Sequence, residues 1–193
     1  RSTATSFAAF STAPAAPPAA PVDLRVNDVA NPVGTGDTVV FGWRVNDTDP
    51  DEIQSRYQIL VASSADRLAA DEGDVWNSGE VASRLQNHVR YGGPALTCDT
   101  LYHWKVRTWD KDGNAGPYSP PAAFTVGFLS NTDWAGSNWI RRDTQDADDH
   151  TYFRQRVSLP AKEITRATAC ISGTHRYALH VNGTLVGKGP AFH

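Results

Sequence analysis

Methionine is missing from this chain of 193 residues, even at position 1, which leads us to expect a processed product or a fragment. Cysteine is scarce. The two that occur, Cys98 and Cys170, cannot make a disulfide-rich scaffold, and their spacing fits no zinc pattern. A Cys98–Cys170 bridge would have to join two separate modules, and two buried thiols are the simpler expectation. There is no surplus of positive charge: 18 Lys and Arg stand against 21 Asp and Glu, a net charge of −3, which argues against a nucleic-acid partner. No apolar run approaches the length of a membrane-spanning helix. Neither a Gly-x-Ser-x-Gly elbow nor a phosphate-binding glycine loop occurs, so no cofactor is expected.

Residues 1–21 contain 18 Ala, Pro, Ser or Thr, with prolines at 14, 17, 18 and 21. Those prolines deny the segment a helix, and it has almost nothing to bury, so it reads as a disordered or extended leader. From Val22 the texture changes to short alternating runs punctuated by Gly, Pro, Asn and Asp. Side chains alternate across a strand, so Val39, Phe41, Trp43 and Val45 share one face. Tyr57, Ile59 and Val61 do the same, and Tyr102, Trp104, Val106 and Thr108 oppose His103, Lys105, Arg107 and Trp109. One short helix is expected at Ser64–Ala70, capped by Ser63 with Asp66 at its third position. Residues 22–127 have the size of a small β-sandwich.

Residues 128–193 form a second β-region, with strands expected at Thr151–Val157, Ala167–Ile171 and Arg176–Val181. Asn182-Gly183 after the last of these is a hairpin signal, because a type I′ turn needs two residues at positive φ. An eight-stranded jelly roll needs about 100 residues at ~8–12 residues per strand. The second module is therefore expected to be incomplete. The fold class is all-β: a fibronectin type III-like sandwich followed by an incomplete jelly-roll-like sandwich.

No catalytic constellation is present. Asp47-x-Asp49-x-Asp51 starts like a calcium loop, but the required Gly and Glu positions hold Glu52 and Gln58. Asp110-Lys111-Asp112-Gly113 reads as a turn. Asp143, Asp146, Asp148 and Asp149, beside Arg141 and Arg142, read as a charged connection. His88, His103, His150, His175, His180 and His193 show no metal-ligand spacing, so no metal site is expected. Trp109, on the outward face of its strand, and Trp134 are weak candidates for stacking on a sugar or a neighbouring domain. Asn46-Asp47-Thr48 and Asn182-Gly183-Thr184 are glycosylation sequons, which agree with secretion.

Leu96, Thr100, Tyr102, Trp104 and Val106 resemble the signature of a fibronectin type III domain, with Tyr102 at the place of its corner tyrosine and Trp43 as core tryptophan. Cys98 stands where such domains usually have proline. A narrower resemblance is carried by five phrases in order. They are Tyr57–Ser64, Val75–Gly79, Tyr102-x-Trp104-Lys105-Val106-Arg107-x-Trp109-Asp110, Asp133-Trp134 … Trp139-Ile140, and Gly173 … Tyr177 … Val181-Asn182-Gly183 … Val186-Gly187. Together they resemble the N-terminal part of bacterial-type α-L-rhamnosidases of glycoside hydrolase family 78. The resemblance implies a non-catalytic segment of a secreted or periplasmic enzyme that removes terminal α-L-rhamnose with inversion, its carboxylates residing in a helical barrel outside these residues. The implied partners are the remaining domains of that enzyme and, through its catalytic domain, rhamnose-containing glycosides, with no nucleic acid and no membrane. The alternative is a stand-alone carbohydrate-binding or adhesion sandwich without an attached enzyme.

Overall fold

The computed structural model describes residues 16–143, 150–164, 166–173 and 176–189. They form two compact units, one ending at Asp133 and the other beginning at Trp134.

The first unit is a sandwich of two antiparallel sheets. Its strands are β1 (Ala19–Val26), β2 (Val40–Asn46), β3 (Arg56–Ala62), β4 (Trp76–Asn77), β5 (Val81–Ala82), β6 (Val89–Arg90), β7 (Leu101–Trp109) and β8 (Ala122–Thr125). One sheet has the order β1-β2-β6; the other runs β4-β3-β7-β8, with β5 also pairing β3. The expected alternation holds on β2, where Phe41 and Trp43 are buried and Arg44 is exposed, and it reaches back to the buried Val39 just before the strand. These side chains meet Ile59, Val61, Trp104, Val106 and Phe124 of the other sheet. Phe41 lies at the middle, its ring centroid 4.6 Å from Trp104 and 6.0 Å from both Trp76 and Phe124. Burying a side chain of this kind contributes about 1.5–3 kcal/mol. Trp43 keeps its indole N–H satisfied by donating to Gln54 Oε1 at 3.0 Å, and the Gln54 amide donates in turn to the carbonyls of Ser83 and Leu85.

Three local differences from the sequence reading have physical causes. Strand β1 begins at Ala19, inside the stretch expected to be a leader, because Ala19 pairs with Asn46 at the end of β2. The single short helix, α1 (Ala65–Ala69), is capped by Ser64, whose hydroxyl accepts the Arg67 amide at 3.3 Å. Ser63 is unavailable for capping: its amide and hydroxyl both donate to the Asp74 carboxylate. Finally, β3 is buried on both faces from Tyr57 onward. Leu68 of α1 and the ring of Tyr118 cover Leu60 and Ala62, making a second small core outside the sheet.

The segment 31–35 runs beside β8. Asn31 Oδ1 accepts the Ala123 amide, Pro32 accepts that of Thr125, and Thr35 exchanges bonds with Thr125 and Gly127. The Thr35–Val126 pairing is parallel.

In the second unit, the described regular structure is a hairpin of β9 (Tyr177–Val181) and β10 (Thr184–Gly189), joined by Asn182-Gly183 with φ +50° and +84°. The hairpin expected from the Asn-Gly signal is therefore present. The strands expected at 151–157 and 167–171 are not: both runs are irregular and largely exposed, with Tyr152 at 93% and Val157 at 73%. A strand needs a ladder partner, and these runs find none among the described residues. Cys170, expected to be buried, lies in the second of them and is exposed; it forms no disulfide with Cys98.

Candidate functional site

The outward face of β7 carries Trp109, one of the two residues singled out as candidates. Alternation places Trp109 there, yet only 5% of it is exposed. After Trp109 the chain turns tightly: the Asp110 carboxylate accepts the amide and side chain of Asn114, both at 2.7 Å, and Gly113 takes φ +88°. Ala115 then pairs back against Trp109, and Tyr118 folds over the same face. The Arg107 guanidinium lies 4.7 Å from the Trp109 centroid and 4.9 Å from that of Tyr118, and Lys105 Nζ lies 4.8 Å from Tyr118. Gln58 ties the group together. Its Oε1 accepts Arg107 Nε at 2.9 Å, Arg107 Nη2 at 2.7 Å and the Tyr118 hydroxyl at 3.0 Å, while its amide donates to Asn77. Burial pushes the Tyr118 phenol pKa up. This is a closed cation–π cluster: Trp109, the weak candidate for stacking on a sugar or a neighbouring domain, lies under the Arg107 guanidinium of its own domain and is almost wholly buried. Trp134 closes a short 3-10 helix, Asn131–Trp134, and is half-buried.

Beside this cluster, between α1 and β8, lies a cleft of about 570 Å³ whose lining includes Leu68, His103, Lys105, Pro121 and Ala122. Lys105 is only 7% exposed, and its ammonium donates to the Asp71 carboxylate and the Leu68 carbonyl. A smaller hollow of about 210 Å³ is lined by Asn27, Asp28, Val40, Phe41, Gly42 and His88. The first contains no carboxylate and the second only Asp28. Inverting glycoside hydrolysis needs two carboxyl groups about 6.5–9.5 Å apart, so neither hollow can perform it.

The acidic residues elsewhere are used in turns. Asp47 Oδ1 accepts the Asp49 amide at 3.0 Å, and Asp49 Oδ2 accepts that of Ala16 at 2.8 Å. Glu52, whose side chain is 4% exposed, receives both the backbone N–H and the ammonium of Lys111, at 2.8 and 2.6 Å. The Lys111 bonds hold the Glu52 carboxyl below its ordinary range, and Glu52 raises the Lys111 pKa. Asp133 accepts the amides of Leu129 and Ser130, which lower its pKa, and burial raises that of the neighbouring Cys98 thiol. Among the described residues, no group of three His, Cys, Asp or Glu is placed to hold a metal ion. Asp143 is exposed; Asp146, Asp148, Asp149, His175 and His193 lie outside the described residues.

Two sheets closed over an aromatic core, a corner tyrosine on β7 and a parallel strap beside the last strand define an immunoglobulin-like β-sandwich. Residues 21–130 match the family model described as the Rha78A-like N-terminal immunoglobulin domain, and the chain belongs to that family. It is 32% identical to an α-L-rhamnosidase of Formosa agariphila over 85% of this chain, and 36% identical to one of Streptomyces avermitilis over 77%. It spans only 20% and 16% of those relatives' lengths. Among solved structures, it resembles an α-L-rhamnosidase of Dictyoglumus thermophilum at 33% identity and a TM-score of 0.58, covering 60% of this chain and 13% of that one. The Streptomyces avermitilis enzyme, solved in complex with L-rhamnose, matches at 36% identity and a TM-score of 0.57 over 60% of this chain and 11% of its own.

Proposed function

We propose that this chain is the non-catalytic N-terminal segment of a glycoside hydrolase family 78 α-L-rhamnosidase. The whole enzyme would hydrolyse terminal α-L-rhamnose from glycosides with inversion, outside the cytoplasm, in a secreted or periplasmic setting. The observation that carries this reading is the match of residues 21–130 to an N-terminal domain family, within relatives of which the chain spans a fifth or less. The closed cation–π face and the lack of paired carboxylates in either hollow support a bracing role rather than a chemical one. Residues 128–193 are read as the start of a second, jelly-roll-like sandwich. The exposed Val181, Leu185 and Val186 of its hairpin support a covering partner, the remaining domains of the same polypeptide. Neither nucleic acid nor membrane is a partner in this reading.

The test compares the full-length gene product with residues 1–193 on an aryl α-L-rhamnoside. Release of rhamnose by the long form and none by the short one is expected. Hydrolysis by residues 1–193 alone, or inertness of the long form, overturns the proposal.

A further inference from the structure

The asparagine side chains of this molecule are mostly tied down. Those of Asn27, Asn31, Asn46, Asn77, Asn114 and Asn138 all take part in hydrogen bonds. Asn182 is different. It is exposed at the tip of the β9–β10 hairpin, one step beyond the last ladder pair, Val181–Thr184. Its amide has no hydrogen-bond partner among the described residues, and the residue that follows is glycine. Gly183 has φ +84° and, beyond its own chain neighbours, no atom within 4 Å of where a Cβ would stand. Asn87 and Asn131, the other described asparagines without a bonded side chain, are followed by His88 and Thr132, whose side chains crowd the next backbone nitrogen.

The geometry points to Asn182 as a site of spontaneous covalent modification, in which the Gly183 backbone nitrogen is the nucleophile. That nitrogen attacks the Asn182 Cγ, a new N–Cγ bond forms, and the Cγ–Nδ2 bond breaks. Ammonia leaves with the proton given up by the peptide nitrogen, and a five-membered succinimide remains. Solvent water then opens the ring at either carbonyl, giving aspartate or isoaspartate. No oxidant or enzyme is required. Both products add one negative charge at the tip and remove the Asn182-Gly183-Thr184 sequon. The isoaspartate form also lengthens the backbone by one carbon, which a two-residue turn fixed by two positive φ angles cannot absorb without breaking the Val181–Thr184 pairing.

The test incubates the whole chain in mildly alkaline buffer and follows each asparagine by peptide mass spectrometry, with isoaspartyl methyltransferase labelling to distinguish the two acids. Conversion is expected at Asn182 before any other asparagine. G183A should slow it about tenfold, equivalent to about 1.4 kcal/mol on the barrier. N182Q keeps an amide at the tip but forms a larger ring far less readily, and should leave the hairpin unconverted. Earlier conversion at another asparagine, an intact Asn182, or G183A reacting as fast as the parent overturns the inference.

Discussion

The hydroxyl of Tyr102 accepts the backbone amide of Thr97 at 2.8 Å while its ring stacks on Phe124 at 5.5 Å. One side chain thus fixes the corner where the chain enters β7 and also fills the core. Tyr102→Phe keeps the ring and loses the bond. Because Thr97 lies where water can reach its freed N–H, the cost is expected to be about 1 kcal/mol. Urea unfolding should show a lower midpoint with an unchanged slope.

Gly116 is buried, and a Cβ there would stand 2.5 Å from the carbonyl oxygen of Pro18. Gly116→Ala must push the start of β1 aside, at a cost of about 1–3 kcal/mol. Gly36→Ala, with nothing within 4 Å, is the matched control and should be close to neutral. A thermal melt of both variants checks the contrast; equal effects would show that the approach of Pro18 imposes no constraint.

Glu52 and Lys111 clip the loop before β3 to the turn after β7. The folded Glu52 pKa lies below its ordinary 4.5, so the clip contributes fully above pH 4.5 and is lost as pH falls through the folded value. The Lys111 pKa is raised above 10.5, so its share is present below pH 10.5 and lost as pH rises through the raised value. Asp110 and Asp112 also face Lys111 and add to that rise. Glu52→Gln should lower the melting temperature at neutral pH, with the gap from the parent closing in acid. A gap that stays constant down through the carboxylate range would refute the clip.

Trp109 and Trp139 make opposite predictions. Trp109 is packed beneath Arg107, so Trp109→Ala should cost about 3–5 kcal/mol. Trp139 is 73% exposed, and its replacement should hardly move the melt. Adding L-rhamnose should leave the melting temperature of the parent unchanged. A rise that grows with sugar concentration would revive the stand-alone carbohydrate-binding alternative.

How far these features could be read beforehand depended on range. The inward faces of β2 and β7 follow from alternation alone, as do the Asp110–Asn114 turn and the Asn182-Gly183 hairpin from local φ requirements. Trp109 faces outward as alternation requires, but alternation says nothing of what folds over that side. Here the Arg107 guanidinium and the returning chain at Ala115 cover it. The buried Lys105 escaped notice for the same reason: its partners, Leu68 and Asp71, lie more than thirty residues away in sequence. The helix cap was off by one because two adjacent serines compete, and Asp74 decides between them. Four of the five ordered phrases that carried the family sit on β3, β4 and β7, neighbours in one sheet, and on the later hairpin; the phrase Asp133-Trp134 … Trp139-Ile140 falls on the 3-10 helix and the irregular residues after it.

The strap at residues 31–35 has a consequence for synthesis. A sandwich whose final strand was left with bare amides would offer a template to any extended polypeptide nearby, including others still emerging from the ribosome. With Asn31, Pro32 and Thr35 already occupying those amides, the β8 edge of this domain is closed to unfinished neighbours.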